Sequence, residues 1–135
     1  MTNTARPRRG RNQDSIPPRA ELGFDCLFCK IASKELDSEM VYESDNLVAF
    51  KDINPAAPVH LLIVPRQHIS SAHELGSQHA ALLGEVFEAI ARLARDHGID
   101  EGHRVVTNVG SDAGQSVHHV HFHLLGGRGL SWPPG

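Results

Sequence analysis

The run HHVHFHLL, residues 118–125, places a histidine at every second position from His119 to His123 and fills the gaps with Val120, Phe122 and Leu124. A period of two, built from β-branched, aromatic and aliphatic residues, predicts a strand. His119, His121 and His123 then share one face, and the apolar three turn the other way into a core. Two residues of strand advance the chain by about 6.6 Å and four by about 13 Å, so one metal ion cannot gather all three rings. Two chemistries stay open. An H-x-H pair supplies half of a zinc site, or the rings hold separate tasks, one as nucleophile or base and its neighbours orienting it or handling protons. The bland alternative is a polar strand face on which the histidines are incidental.

The rest of the chain supplies partners for that strand. In CLFCKIASKEL, Leu27, Phe28 and Ile31 stand at helical spacing and predict a short helix. MVYES and LVAFKDI read as strands around the polar turn SDN, and VHLLIVPR as a third strand stopped near Pro65. Over residues 74–97, Leu83, Val86, Phe87, Ile90, Leu93 and Ala94 recur at steps of three and four, predicting an amphipathic helix that Gly98 ends. HRVVTNV and VHHVHFHLL complete five strands and two helices. Strands that follow one another directly, without strict β-α alternation, favour an α+β fold with an antiparallel sheet.

A length of 135 residues suits one domain with its own core. No stretch reaches the roughly 18 consecutive apolar residues of a membrane span, so no membrane partner is expected. Residues 1–22 read as a disordered tail containing arginine and proline, and residues 23–135 as the folded domain. The tail lacks the apolar region of a secretory signal, which favours the cytoplasm. Within residues 1–20, Arg6, Arg8, Arg9, Arg11 and Arg19 face only Asp14. Removing them from 13 basic and 16 acidic residues leaves 8 against 15, a formal charge of −7. An acidic folded part argues against a nucleic-acid polymer as partner.

NVGSDAGQS, residues 108–116, leads into the histidines. Glycine-rich loops of this kind can turn backbone N–H groups inward around an anion, with Ser116 adding a hydroxyl. Such loops are common in hairpins, but beside an alternating histidine strand this one points to a phosphate next to a nucleophilic imidazole. A neutral imidazole suits that role because its ordinary pKa of about 6.5 leaves it unprotonated at neutral pH.

The combination of Gly114, Ser116, His119, His121 and His123 in G-x-S-x-x-H-x-H-x-H resembles the histidine-triad (HIT) family of nucleotide hydrolases and transferases. The likeness runs from about residue 24 to the C-terminus and includes AFKDINPAAPVHLLIVPRQHI, NVGSDAGQSVHHVHFHLLGGR and the final WPPG. The ending resembles the Hint branch of purine nucleoside phosphoramidases. That resemblance implies a HIT-like fold and a homodimer whose two sheets join into ten continuous strands. The transferase branch carries glutamine at the third triad position, where this chain has His123.

By the same resemblance, His121 is the nucleophile that attacks the α-phosphorus and carries the nucleotidyl group. His123 contacts phosphate and His60 orients the nucleophile's ring; on chemical grounds a phosphoramidate's amine must leave protonated, so Ser116 or a histidine is needed in proton-transfer reach. Asp52 accepts the ribose hydroxyls, and Leu27, Phe28, Ile31, Phe50, Ile53 and Leu62 form the base pocket. Asn108, Gly114, Gln115, Ser116 and Val117 belong to the phosphate and leaving-group side, and Trp132 to a C-terminal tail that shapes the site. No metal is needed at the phosphorus. Lys51, Asn54 and His118 depart from the familiar Hint pattern and bear on substrate preference.

Cys26 and Cys29 form a single C-x-x-C, which by itself can be a redox pair, half of a metal site or two buried thiols. Resemblance to bacterial-type HIT proteins implies a closed structural Zn²⁺ site with His68 and His119. His73, His79, His97 and His103 read as solvated surface residues. The function implied is cleavage of adenosine 5'-phosphoramidate or aminoacyl-type adenylates. The alternatives are a dinucleoside polyphosphate hydrolase, a nucleotide-binding regulatory protein with little turnover, and a metallohydrolase that uses the H-x-H pair.

Overall fold

The computed structural model describes residues 26–135; the tail assigned to residues 1–22, and its boundary with the domain, lie outside them. Five strands, β1 (Met40–Glu43), β2 (Leu47–Lys51), β3 (Val59–Pro65), β4 (His103–Val106) and β5 (Phe122–Gly126), form one antiparallel sheet in the order β1-β2-β3-β5-β4. Two helices, α1 (Leu27–Ala32) and α2 (Ala80–Asp96), cover its two faces. Among the described residues no helix is long and apolar enough to cross a membrane.

Alternation along the central strands decides which helix each residue meets. Leu47, Ala49, Leu61, Ile63, Phe122 and Leu124 pack with Val86, Ala89, Ile90 and Leu93 of α2. Their neighbours Val48, Phe50, Leu62 and Val64 pack with Phe28, Ile31 and Ala32 of α1. Both faces of β2 and β3 are therefore buried, which is why they read as continuous apolar runs. A helix of six residues has no stability of its own, so α1 depends on this packing. It is also held by Arg66, whose Nη1 donates to the Ala32 carbonyl at 2.9 Å.

Two expected elements differ in extent. The helix predicted over 74–97 starts at Ala80, after single 3₁₀ turns at Ala72–Glu74 and Ser77–His79. Its end matches the expectation: Gly98, at φ +73°, donates to the Arg95 carbonyl, and Ile99 to that of Ala94, a two-bond cap on the last carbonyls. The strand predicted over VHHVHFHLL begins only at Phe122. His119 and Val120 lie outside the ladder because their bonding groups have other partners, the N–H of Val120 reaching the Ile69 carbonyl at 2.6 Å. The alternation nevertheless persists through the segment, with Val120 in the α2 core and the histidines on the opposite side.

The same cap brings Ile99 against β5. A Cβ built on Gly126 would stand 2.8–3.0 Å from the Ile99 side chain. Gly126→Ala should therefore lower stability by about 1–3 kcal/mol through overpacking, read as a lower midpoint in denaturant unfolding. An unchanged midpoint would mean that Ile99 yields freely.

Candidate functional site

The structure sorts the three alternating histidines into two environments. His119 is fully buried, and its Nε2–H donates to the Pro65 carbonyl at 2.7 Å. That bond leaves Nδ1 as the lone-pair nitrogen. Nδ1 lies 3.3 Å from Cys26 Sγ, 3.4 Å from Cys29 Sγ and 3.2 Å from His68 Nδ1. Cys29 Sγ is in turn 3.4 Å from His68 Nδ1. Cys26 and Cys29 come from the start of α1, His68 from the segment after β3 and His119 from the approach to β5. One potential ligand atom from each lies within 4.8 Å of all the others. Burial, then the hydrogen bond and charge of Cys26, push the Cys29 thiol up to about 12. Two thiolates this close need a cation between them to coexist.

His121 lies on the same side and carries the opposite tautomer. Its Nδ1–H donates to the carbonyl of His119 at 2.7 Å, so Nε2 carries the free lone pair. Phe28 packs edge-on against the ring, with centroids 4.9 Å apart. Thr107 Oγ1 donates to the His121 carbonyl at 2.8 Å and ties the segment to the end of β4. Burial lowers the His121 pKa, which keeps the ring neutral and nucleophilic.

His123 belongs to a second network. The N–H of Ala56 donates to His60 Nδ1 at 2.9 Å, so neutral His60 carries its hydrogen on Nε2. That atom lies 2.9 Å from His123 Nδ1, which must accept, leaving His123 with its own hydrogen on Nε2. Asp52 Oδ2 stands 3.4 Å from the same His60 nitrogen, while Oδ1 accepts from the Asn54 N–H at 2.8 Å. Asp52, His60 and His123 also gather potential ligand atoms within 4.8 Å. The Ala56 bond decides against a metal there, because the His60 nitrogen facing the group holds a hydrogen and offers no lone pair. His60 contacts His123 rather than His121, whose ring is set by the His119 main chain.

The remaining expected residues fall into three groups. Phe28, Ile31, Phe50 and Leu62 are buried in the α1 core, whereas Leu27, Ile53 and Trp132 are exposed apolar residues. Val117 packs at the margin of that core. In the loop, Gly114 sits in the left-handed region at φ +95°, and Asn108 Nδ2 lies 4.0 Å from where its Cβ would be. The N–H groups of Ala113, Gly114 and Gln115 are spent on the loop's own carbonyls at Gly110 and Ser111, rather than turned toward an anion. Gln115 is buried and braces the loop: Oε1 accepts from Gly110 N–H, and Nε2 donates to the Ser70 and Val117 carbonyls. Ser116 stays exposed beside the histidines.

Sequence reasoning missed Thr107 and the carbonyls of Pro65 and His119, since a main-chain acceptor has no side-chain signature. It also misread His79 and His97. Both are half-buried and serve the ends of α2, His79 Nδ1 accepting from Gly76 N–H and His97 Nδ1 bonding the Leu93 carbonyl.

Comparison with known proteins agrees with this architecture. Residues 25–130 match the family described as Scavenger mRNA decapping enzyme C-term binding. A 14 kDa zinc-binding protein of Brassica juncea is 43% identical over 113 residues, 82% of this chain and 100% of that protein. A HIT family hydrolase from Legionella pneumophila superposes with a TM-score of 0.80 at 47% identity, covering 82% of this chain and 99% of that one. A histidine triad nucleotide-binding protein from Candida albicans gives 0.69 at 33% identity, covering 80% and 82%. The chain belongs to the histidine-triad family.

Burial lowers the pKa of His60, and burial followed by the nearby His121 and His60 rings brings His123 down to about 4, against the opposing pull of Asp52. Both rings are therefore neutral when folded and take up protons more readily when unfolded, so protonation favours the unfolded chain. Thermal stability should hold above about pH 6.5, the ordinary histidine value. It should then fall as the pH drops toward the His123 value of about 4. Melting curves across that window test the sign: a stability that rose on acidification would contradict it.

Proposed function

We propose that the protein is a nucleotide-binding hydrolase that cleaves purine nucleoside phosphoramidates through a nucleotidyl-His121 intermediate. The observation that carries this reading is the pair of opposite tautomers on neighbouring rings: His121 offers a lone pair on Nε2, and His123 offers a hydrogen on Nε2. A nucleophile and a hydrogen-bond donor on alternate positions of one face of the segment suit attack at a phosphorus whose oxygens gain charge in the transition state. His121 Nε2 forms a bond to the α-phosphorus as the P–N bond to the amine breaks. The amine leaves with a proton, for which Ser116 is the exposed hydroxyl at hand. Water then attacks the phosphorus, its proton returning to Ser116, as the P–N bond to His121 breaks and releases the nucleoside monophosphate and the neutral ring. Asp52 holds the ribose, and Phe28, Phe50 and Leu62 back the base, with exposed Ile53 and Leu27 at its margin.

Two supports come from relatives: one named a hydrolase and one named a nucleotide-binding protein. To test the reading, protein mixed with a radiolabelled adenylyl phosphoramidate is quenched in alkali and digested. Label should appear on the peptide containing His121, and His121→Ala should lower kcat by roughly 10⁴-fold or more, the scale of losing an essential nucleophile, with nucleotide binding kept. Labelling at His119 or His123, or substantial turnover by the variant, would sink the mechanism.

The Cys26, Cys29, His68 and His119 set is assigned to a structural Zn²⁺. A tetrahedral ion with bonds of about 2.3 Å to sulfur and 2.0–2.1 Å to nitrogen places its ligands roughly 3.3–3.8 Å apart. Four of the separations, 3.2–3.4 Å, lie at or just below the lower end of that range, a slightly compact arrangement. Two thiolates and two neutral imidazoles would neutralise the ion and leave no position open for substrate. A relative bears the name of a zinc-binding protein. Cys29→Ser should strip the metal and cost about 4 kcal/mol or more of stability, while kcat in the surviving folded protein falls far less than in His121→Ala. Protein purified without chelator that contains no zinc and titrates two free thiols would refute the assignment.

The active unit in this reading is a homodimer joined through β4. That strand is a sheet edge, and beside it a groove lined by Phe87, Ile90, Ala91, Ala94 and Val105 leaves Phe87 half exposed.

A further inference from the structure

The chain leaving β5 grips the loop between β2 and β3. Gly127 adopts φ +93°, and a Cβ there would stand 3.0 Å from Cβ of Pro58, so the two segments pass closer than a side chain permits. The next residue, Arg128, is exposed, and its guanidinium donates twice to the Ala56 carbonyl, from Nε at 3.2 Å and from Nη2 at 2.9 Å. Its Nη1 donates to the Gly129 carbonyl at 2.8 Å. A planar fork that makes two bonds to one oxygen sets direction as well as distance. Ala56 is the residue whose N–H donates to His60 Nδ1.

We infer that Arg128 is a positioning residue: by clamping Ala56 it holds the N–H that forces His60, and through His60 also His123, to carry hydrogen on Nε2. The inference rests on the proposed function only in giving the His123 Nε2–H a phosphate to meet. Without the clamp, the exposed segment Ile53–Ala56 is free to withdraw that N–H. His60 can then hold its hydrogen on Nδ1 and accept at Nε2, whereupon His123 turns donor at Nδ1 and presents a lone pair at Nε2. One proton has moved within each ring and none has left, yet the group facing the phosphate has changed from donor to acceptor. Asp52 Oδ2, at 3.4 Å from His60 Nε2, favours the original state, so loss of the clamp should mix the two tautomers rather than invert them. His121 is insulated, since its hydrogen is held by the His119 carbonyl.

Two-bond ¹⁵N–¹H correlation spectra of histidine-labelled protein, recorded without substrate at neutral pH, read each ring's tautomer. Wild type should show Nε2–H at His60 and His123 and Nδ1–H at His121. In Arg128→Ala the first two should move toward mixed values while His121 keeps its pattern, and kcat on adenosine 5'-phosphoramidate should fall about tenfold with KM changed less. Arg128→Lys, which keeps the charge without the fork, should fall between. Unchanged His60 and His123 in folded Arg128→Ala would overturn the inference, as would equal disturbance of all three rings, the mark of general loosening. If wild type turned over no phosphoramidate while the tautomers responded as stated, the proposed function would fall and the clamp would stand.

Discussion

Main-chain hydrogen bonds to imidazole rings are the constraint on which the site depends. An isolated histidine exchanges freely between two neutral tautomers, and each ring nitrogen can be donor or acceptor. Here the Pro65 carbonyl fixes His119, the His119 carbonyl fixes His121, and the Ala56 N–H fixes His60 and, one bond further on, His123. Four rings that would otherwise exchange freely thereby acquire fixed tautomers, His121 with its hydrogen on Nδ1 and the other three with theirs on Nε2. Because each anchoring group belongs to the backbone, the assignment is only as rigid as the end of β3 that carries Pro65 and the segments that carry His119 and Ala56.

His119 stands at the junction. Its side chain joins the cluster of Cys26, Cys29 and His68, which ties the start of α1 to the segment after β3. Its carbonyl holds the neighbouring ring. Whatever steadies the cluster of Cys26, Cys29, His68 and His119 therefore also steadies the atom that orients His121. Phe28 links the same parts through packing, lying edge-on to His121 and also 6.2 Å from the His119 ring. Burial has a second effect across this region: it holds His119 and His123 near a pKa of 4 and lowers His60, His68 and His121. A site lined by so many histidines thus carries little positive charge on its rings at physiological pH, and what it presents instead is a set of oriented N–H groups and lone pairs.

Local pattern was enough to read the architecture. Period-two alternation separated Val120, Phe122 and Leu124 from the three histidines, and it did so even where the segment is not part of the ladder. Steps of three and four located the buried side of α2, and Gly98 located its end. These features are legible because each depends on residues within one or two turns or pleats of one another. Boundaries were less legible: the approach to β5 is held by a partner distant in the chain, Ile69, and the two 3₁₀ turns before Ala80 are set by local side-chain bonds from Ser71 and His79.

For the site, the sequence by itself determined which chemical groups exist and that one strand face carries them: a spacing of two forbids three rings on one ion whatever the fold. It also placed Cys26 beside Cys29 within a single turn. Only the tertiary structure decided which nitrogen of each ring is free, that His119 meets the cysteines while His121 packs edge-on against Phe28, and that Gln115 braces a loop whose N–H groups mostly close on themselves. The physical reason is that a hydrogen bond is directional and its partner here is a peptide group, present at every residue and marked by none. Side-chain identity can be read along the chain, but which carbonyl or N–H stands within 3 Å of a ring is settled only by the folded backbone, whether that group is distant in the chain, as Pro65 is from His119, or nearby, as His119 and Ala56 are from His121 and His60.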